Sequence, residues 1–187
     1  MKKIFLLATI LILLSGCAAL APRLSEAAKA EPNTGFITAQ SYTSTARGFA
    51  IVVKNIETGT RYGMELGEDG PARASLADVV NAIKVPAGKY QVVSWSSDGF
   101  GLVVQSIERK GTEPAPLLDT FTVSERSVVS LGRFILANGG STRAFYTEIS
   151  TSIRSGRVSL KEVQDAFHRQ YPAVQESSFT CLACVDY

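Results

Sequence analysis

Short apolar runs closed by turn-forming residues recur through the middle of this chain. Phe49-Ala-Ile-Val-Val53 is rich in β-branched residues and predicts a buried strand. Glu57-Thr58-Gly59 supplies a turn, and Arg61-Tyr-Gly-Met-Glu-Leu66 alternates polar and apolar residues, as a strand paired back on the first would. Val79 to Val85 leads into Pro86-Ala87-Gly88-Lys89, which predicts a tight reversal. There Pro presets its own backbone angle and Gly accepts a positive φ. Tyr90-Gln-Val-Val-Ser-Trp95 is the outgoing strand, and Phe100 to Ile107 predicts another. Leu117 to Val123 and Ser127 to Leu136 read as a hairpin across Ser124-Glu125-Arg126, and Ala144 to Ile149 adds one more strand. Strands at such intervals, with turn chemistry between them, predict a mainly β fold: a small antiparallel β-sandwich.

One helix breaks the β pattern. Ser159 and Glu162 have the spacing of a capping box. Leu160, Val163, Phe167 and Tyr171 fall on one stripe, Lys161, Asp165 and Arg169 face away, and Pro172 lies just past the end. The stripe predicts a C-terminal α-helix packed on the sandwich.

The first residues follow neither period. Met1-Lys2-Lys3 is cationic, and Ile4 through Leu14 is apolar except for Thr9, a run too short to span a bilayer. Leu14-Ser15-Gly16-Cys17 closes it, and here the chain resembles bacterial lipoprotein precursors. The resemblance implies a signal peptide at 1–16, cleavage before Cys17, and lipidation of Cys17 with acyl chains such as palmitate. Each buried methylene contributes roughly 0.8 kcal/mol, and stable anchoring takes more than one chain. In Gram-negative lipoproteins an Asp after the Cys marks inner-membrane retention. Ala18 stands there, which implies a lipid-anchored protein on the periplasmic face of the outer membrane.

Small and polar residues dominate from Ala18 to about Thr45, so residues 17–45 read as a flexible tether, with Phe36-Ile37 able to dock on the domain's edge. The sandwich is then expected over 46–155, and the helix with a Cys-x-x-Cys tail over 156–187. Lys2 and Lys3 account for the formal net charge of +2, so the remainder is near neutral and carries no nucleic-acid footprint.

Val85-Pro-Ala-Gly-Lys-Tyr90 and Phe121-Thr-Val-Ser-Glu-Arg-Ser-Val-Val-Ser-Leu-Gly-Arg-Phe134 resemble motifs of uncharacterised bacterial lipoproteins with a transthyretin-like or carboxypeptidase-regulatory-like sandwich. That resemblance implies a fold and no chemistry.

Candidate chemistry is sparse. Cys181-Leu-Ala-Cys184 reads as a structural, tail-locking disulfide; the alternative is a redox pair, which needs a helix N-terminus or a nearby cation to lower a thiol's pKa. With His168, the chain's one histidine, the pair falls short of the four ligands a zinc site needs. His168 itself reads as a solvent-exposed helix residue. Glu65, Glu68, Asp69 and Asp98 read as solvated turns, since they lack the alternating ligand spacing of a Ca²⁺ loop. Neither Gly67–Gly70 nor Gly139-Gly140 has the Lys-Ser/Thr sequel of a phosphate loop. Tyr62, Tyr90, Trp95 and Phe100 read as core, with a sugar- or peptide-binding platform as the alternative. The expectation is a non-catalytic, cofactor-free envelope lipoprotein whose partners are the membrane and another envelope protein or a cell-wall component. The second reading is a periplasmic thiol–disulfide protein using Cys181 and Cys184.

Overall fold

The computed structural model describes residues 19–43, 49–67, 78–97, 119–143, 146–176 and 178–185. In chain order the elements are β1 (Ala19–Leu20), β2 (Thr34–Thr43), β3 (Phe49–Asn55), β4 (Arg61–Leu66), β5 (Val79–Pro86), β6 (Gly88–Ser97), β7 (Phe121–Val123), β8 (Ser127–Arg143), β9 (Tyr146–Gly156), helix α1 (Leu160–Gln170) and β10 (Ser178–Cys181). One sheet has the order β1-β4-β3-β6-β7, the other β10-β8-β2-β5, with β9 also paired to β8. The two pack face to face as a sandwich with one helix near the C-terminus, as the apolar pattern predicts. The strand expected at 100–107 lies outside the described residues.

Pairing is mixed rather than wholly antiparallel. β3 pairs antiparallel with β4 and β6, whereas β2 runs parallel to β8, β10 parallel to β8, and β1 parallel to β4. Two turns read as hairpins are corners between sheets. Residues 86–88 carry the chain from β5 to β6, and 124–126 carry it from β7 to β8, each time into the other sheet. Nor does Gly88 adopt a positive φ; an added Cβ there would lie 2.9 Å from Asn55 Nδ2, so a side chain at this corner would have to displace the Asn55 amide.

The largest correction concerns the expected tether. Residues 34–43 form β2, an interior strand hydrogen-bonded to β5 on one side and β8 on the other. β2 is buried on both faces. Ile37 and Ala39 join Phe49, Ile51, Val53, Tyr90, Val129 and Leu131 in the core between the sheets. Phe36 points the opposite way, into a second core with Ala82, Val128, Phe167, Tyr171 and Val174.

That second core is where α1 packs. Its capping box is formed: Ser159 Oγ accepts from the Glu162 amide, and Glu162 accepts from the Ser159 amide. Val163, Ala166 and Phe167 are buried on the sheet, while Leu160, expected on the packed stripe, is exposed.

β8 changes its outer partner along its length. Ser127–Ser130 pair with β10, and Arg133–Arg143 pair with β9. The switch falls at Gly132, whose φ of 96° goes with a register shift in the β2–β8 ladder, as at a bulge.

Candidate functional site

The chain emerging from the predicted lipidation site is docked at once. Ala19 and Leu20 lie in register with Tyr62 and Gly63, and the Ala21 amide donates to Gly63 O at 2.9 Å. The Leu24 amide then donates to Ala82 O at 2.9 Å, so the segment crosses from the β4 edge of one sheet to β5 of the other. Leu24 and Ala30 pack against the second core. Arg23 Nε lies 3.6 Å from Glu65 Oε2, and Lys84 Nζ lies 2.6 Å from Glu31 Oε1. Glu65, read as a solvated turn residue, thus belongs to β4 and faces Arg23. Cys17 itself lies outside the described residues.

Asn81 was not singled out in the sequence, yet it fastens the two sheets together at one side. Its Oδ1 accepts from the Gly67 amide at 2.9 Å, and its Nδ2 donates to Gly67 O at 3.2 Å. Thr38 Oγ1 donates to Asn81 O at 2.9 Å, and Ser41 Oγ donates to Asn81 Oδ1 at 3.4 Å. The side chain of a β5 residue thereby makes a backbone-like bridge to the end of β4. A lone Asn inside Val-Val-Asn-Ala-Ile was the available signal, because a polar residue on a buried strand must find partners.

Cys181 and Cys184 are joined as a disulfide, with Cα atoms 5.6 Å apart. Cys181 ends β10, and the Leu182 amide extends the ladder to Ser130 O at 2.9 Å. The Val185 amide returns to Val158 O at 3.0 Å, so the tail is fixed at both ends of the disulfide loop. An added Cβ at Gly132 would lie 3.0 Å from Ala183 Cβ, so the loop rests on the β8 bulge.

His168, expected to be solvent-exposed, is half-buried. Its Nε2 lies 2.6 Å from Glu176 Oε1, and its ring meets Phe167 and Phe179 edge-on. This contact clips α1 to the segment that leads into β10. Among the described residues no three His, Cys, Asp or Glu side chains gather as metal ligands do.

The aromatic residues are structural where they are described. Tyr90 and Trp95 are buried; Trp95 stacks on Phe49 at 5.6 Å, and Tyr90 on Phe121 at 6.2 Å. Tyr62 is half-buried and tilts against Tyr90. Tyr90 Oη donates to Pro86 O at 2.7 Å, and burial pushes its pKa up, more than the Asn55 hydrogen bond pulls it down. Phe100, Glu68, Asp69 and Asp98 lie outside the described residues.

Residues 1–18 match the family model for the prokaryotic membrane lipoprotein lipid attachment site. No curated protein and no solved structure matches the chain significantly. The lipid-attachment match supports a bacterial, lipid-anchored membrane lipoprotein.

Proposed function

We propose that this chain is an envelope lipoprotein, lipidated on Cys17 with palmitate-type chains, held on the periplasmic face of the outer membrane, and acting as a non-catalytic binding or structural module. The observation that carries this reading is the lipid-attachment match at residues 1–18. Ala18 in place of Asp supports the outer membrane as the address. The buried polar groups support the non-catalytic part, because they serve the fold: Asn81 bridges the sheets, and Thr38 Oγ1 donates to Asn81 O. The module's partner is another envelope protein or a cell-wall component. The transthyretin-like resemblance of Val85–Tyr90 and Phe121–Phe134 belongs to this reading too, since those segments build the two corners between sheets.

The test is metabolic labelling with an alkyne-tagged fatty acid, followed by membrane fractionation. The wild-type chain should carry the label and sediment with the outer membrane. Cys17→Ser should lose both. Label retained by Cys17→Ser contradicts the proposal.

The thiol–disulfide reading keeps one observation in its favour: Cys181 and Cys184 are half-buried rather than sealed in the core. Their surroundings argue for a crosslink instead, because Cys181 ends a strand rather than opening a helix, the setting a reactive thiol uses. Turnover of a disulfide substrate, lost on Cys181→Ser, would reverse that preference.

A further inference from the structure

We infer that the sandwich is held flush against the bilayer, with the end that carries the β3–β4 turn pressed to the lipid surface. This rests on the proposed lipidation of Cys17 and goes beyond it, because lipidation alone sets no orientation. Ala19 is already paired with Tyr62. Two residues of fully extended chain span at most about 7 Å. A slack coil over 17–45 would instead give an r.m.s. reach of roughly 30 Å. The difference decides whether the domain can turn freely.

Strand direction then sets which end faces the membrane. β1 is parallel to β4, so the chain entering β1 comes from the side where β4 begins, at Arg61. The same end holds the β3–β4 turn, whose Ile56 amide donates to Lys89 O at 2.9 Å. It also holds both inter-sheet corners, tied to the start of β2 by Ala87 amide to Asn33 O at 2.8 Å and Arg126 amide to Thr34 O at 2.6 Å. Its exposed surface includes Ile56, Arg61, Lys89 and Arg126, together with Glu57 and Glu125. Ile56, at 40% exposure, is one of the few large apolar side chains left open to solvent among the described residues. Its tip suits the headgroup–acyl boundary. The charges nearly balance, so the contact is imposed by the anchor and does not require anionic lipid. The opposite end, where β2 and β4 finish and β3 and β5 start, is turned away from the membrane.

The test uses the full-length chain, expressed with its own signal and reconstituted into phosphatidylcholine vesicles bearing a headgroup-level spin-label quencher. With Cys17 acylated and Cys181–Cys184 oxidised, an introduced cysteine is the free thiol for a fluorophore. Ile56→Cys should be quenched several-fold more than Asp78→Cys at the opposite end. A twelve-residue Gly/Ser insert between Ala18 and Ala19 should abolish that difference while the protein still sediments with the vesicles. Equal quenching at both positions in sedimenting protein overturns the inference and leaves the anchor standing. An insert without effect does the same. Protein that fails to sediment removes the anchor and the inference with it.

Discussion

At the scale of single residues, this fold depends on a few positions with one tolerable occupant. Asn81 satisfies both polar groups of Gly67. Asn81→Ala leaves a buried amide without its acceptor, so we expect a loss of about 1–3 kcal/mol, read as a lower urea midpoint at unchanged m. Gly35 is constrained by space. A Cβ there would lie 2.5 Å from both Ser124 O and Val123 Cγ1, where β2 passes beneath the β7–β8 corner. Gly35→Ala should destabilise by about 1–3 kcal/mol through overpacking, seen in the same titration. Tyr90 links stability to alkaline pH. Burial raises its pKa above the ordinary phenol value, so the folded state holds the proton that the unfolded state gives up. Its contribution is complete below about pH 10 and is lost as pH rises towards the folded pKa. Tyr90→Phe should cost about 1 kcal/mol at neutral pH by removing the bond to Pro86 O. It should also flatten the alkaline limb of a stability–pH profile.

At the scale of elements, legibility in the sequence follows how each element is buried. β3, β4 and α1 are readable because β-branched runs, alternation and the Ser159–Glu162 box are local signals. β2 is not, for a physical reason. It lies inside a sheet that is covered on both faces, so neither face alternates with water, and Thr38, Gln40 and Ser41 are buried with polar partners. Thr-Gly-Phe-Ile-Thr-Ala-Gln-Ser therefore looks like linker composition. The corners at 86–88 and 124–126 carry true turn chemistry, but nothing local distinguishes a hairpin from a crossing between sheets. Cys17 was legible as a motif, whereas the docking of the chain after it depends on long-range pairing with β4 and β5. The capping box gives α1 an acid limit. Hydrogen bonds from Ser159 hold the Glu162 carboxyl below the usual glutamate range. Its contribution is present above that range and is lost as pH falls through the lowered value. Ser159→Ala should cost about 1 kcal/mol near neutrality and weaken this acid limb, measured by helix-sensitive circular dichroism. The disulfide closes a very short loop, worth about 2 kcal/mol in the chain-entropy account. Cys181→Ser with Cys184→Ser should expose the tail to carboxypeptidase while leaving the sandwich folded.

At the scale of the whole molecule, the N-terminal segment joins address to architecture. Residues 19–33 bind the edges of both sheets, and the next ten become an interior strand. A composition that looks like a leash thus builds part of the body it was expected to hold. The lipid-attachment match covers residues 1–18, and pairing with β4 begins at Ala19, so the proposed anchor at Cys17 would meet the fold with almost no intervening chain. On the proposed anchoring, a partner would meet a module presented at close range to the bilayer, chiefly by the end opposite the β3–β4 turn. Amide hydrogen exchange on the membrane-bound protein is the most direct measurement of that docking. In a docked segment the amides of Ala21 and Leu24, which bond to Gly63 O and Ala82 O, should exchange orders of magnitude more slowly than in an unstructured peptide. Exchange of both at free-peptide rates, with the β3–β4 ladder still protected, would show a loose tether and contradict the docking.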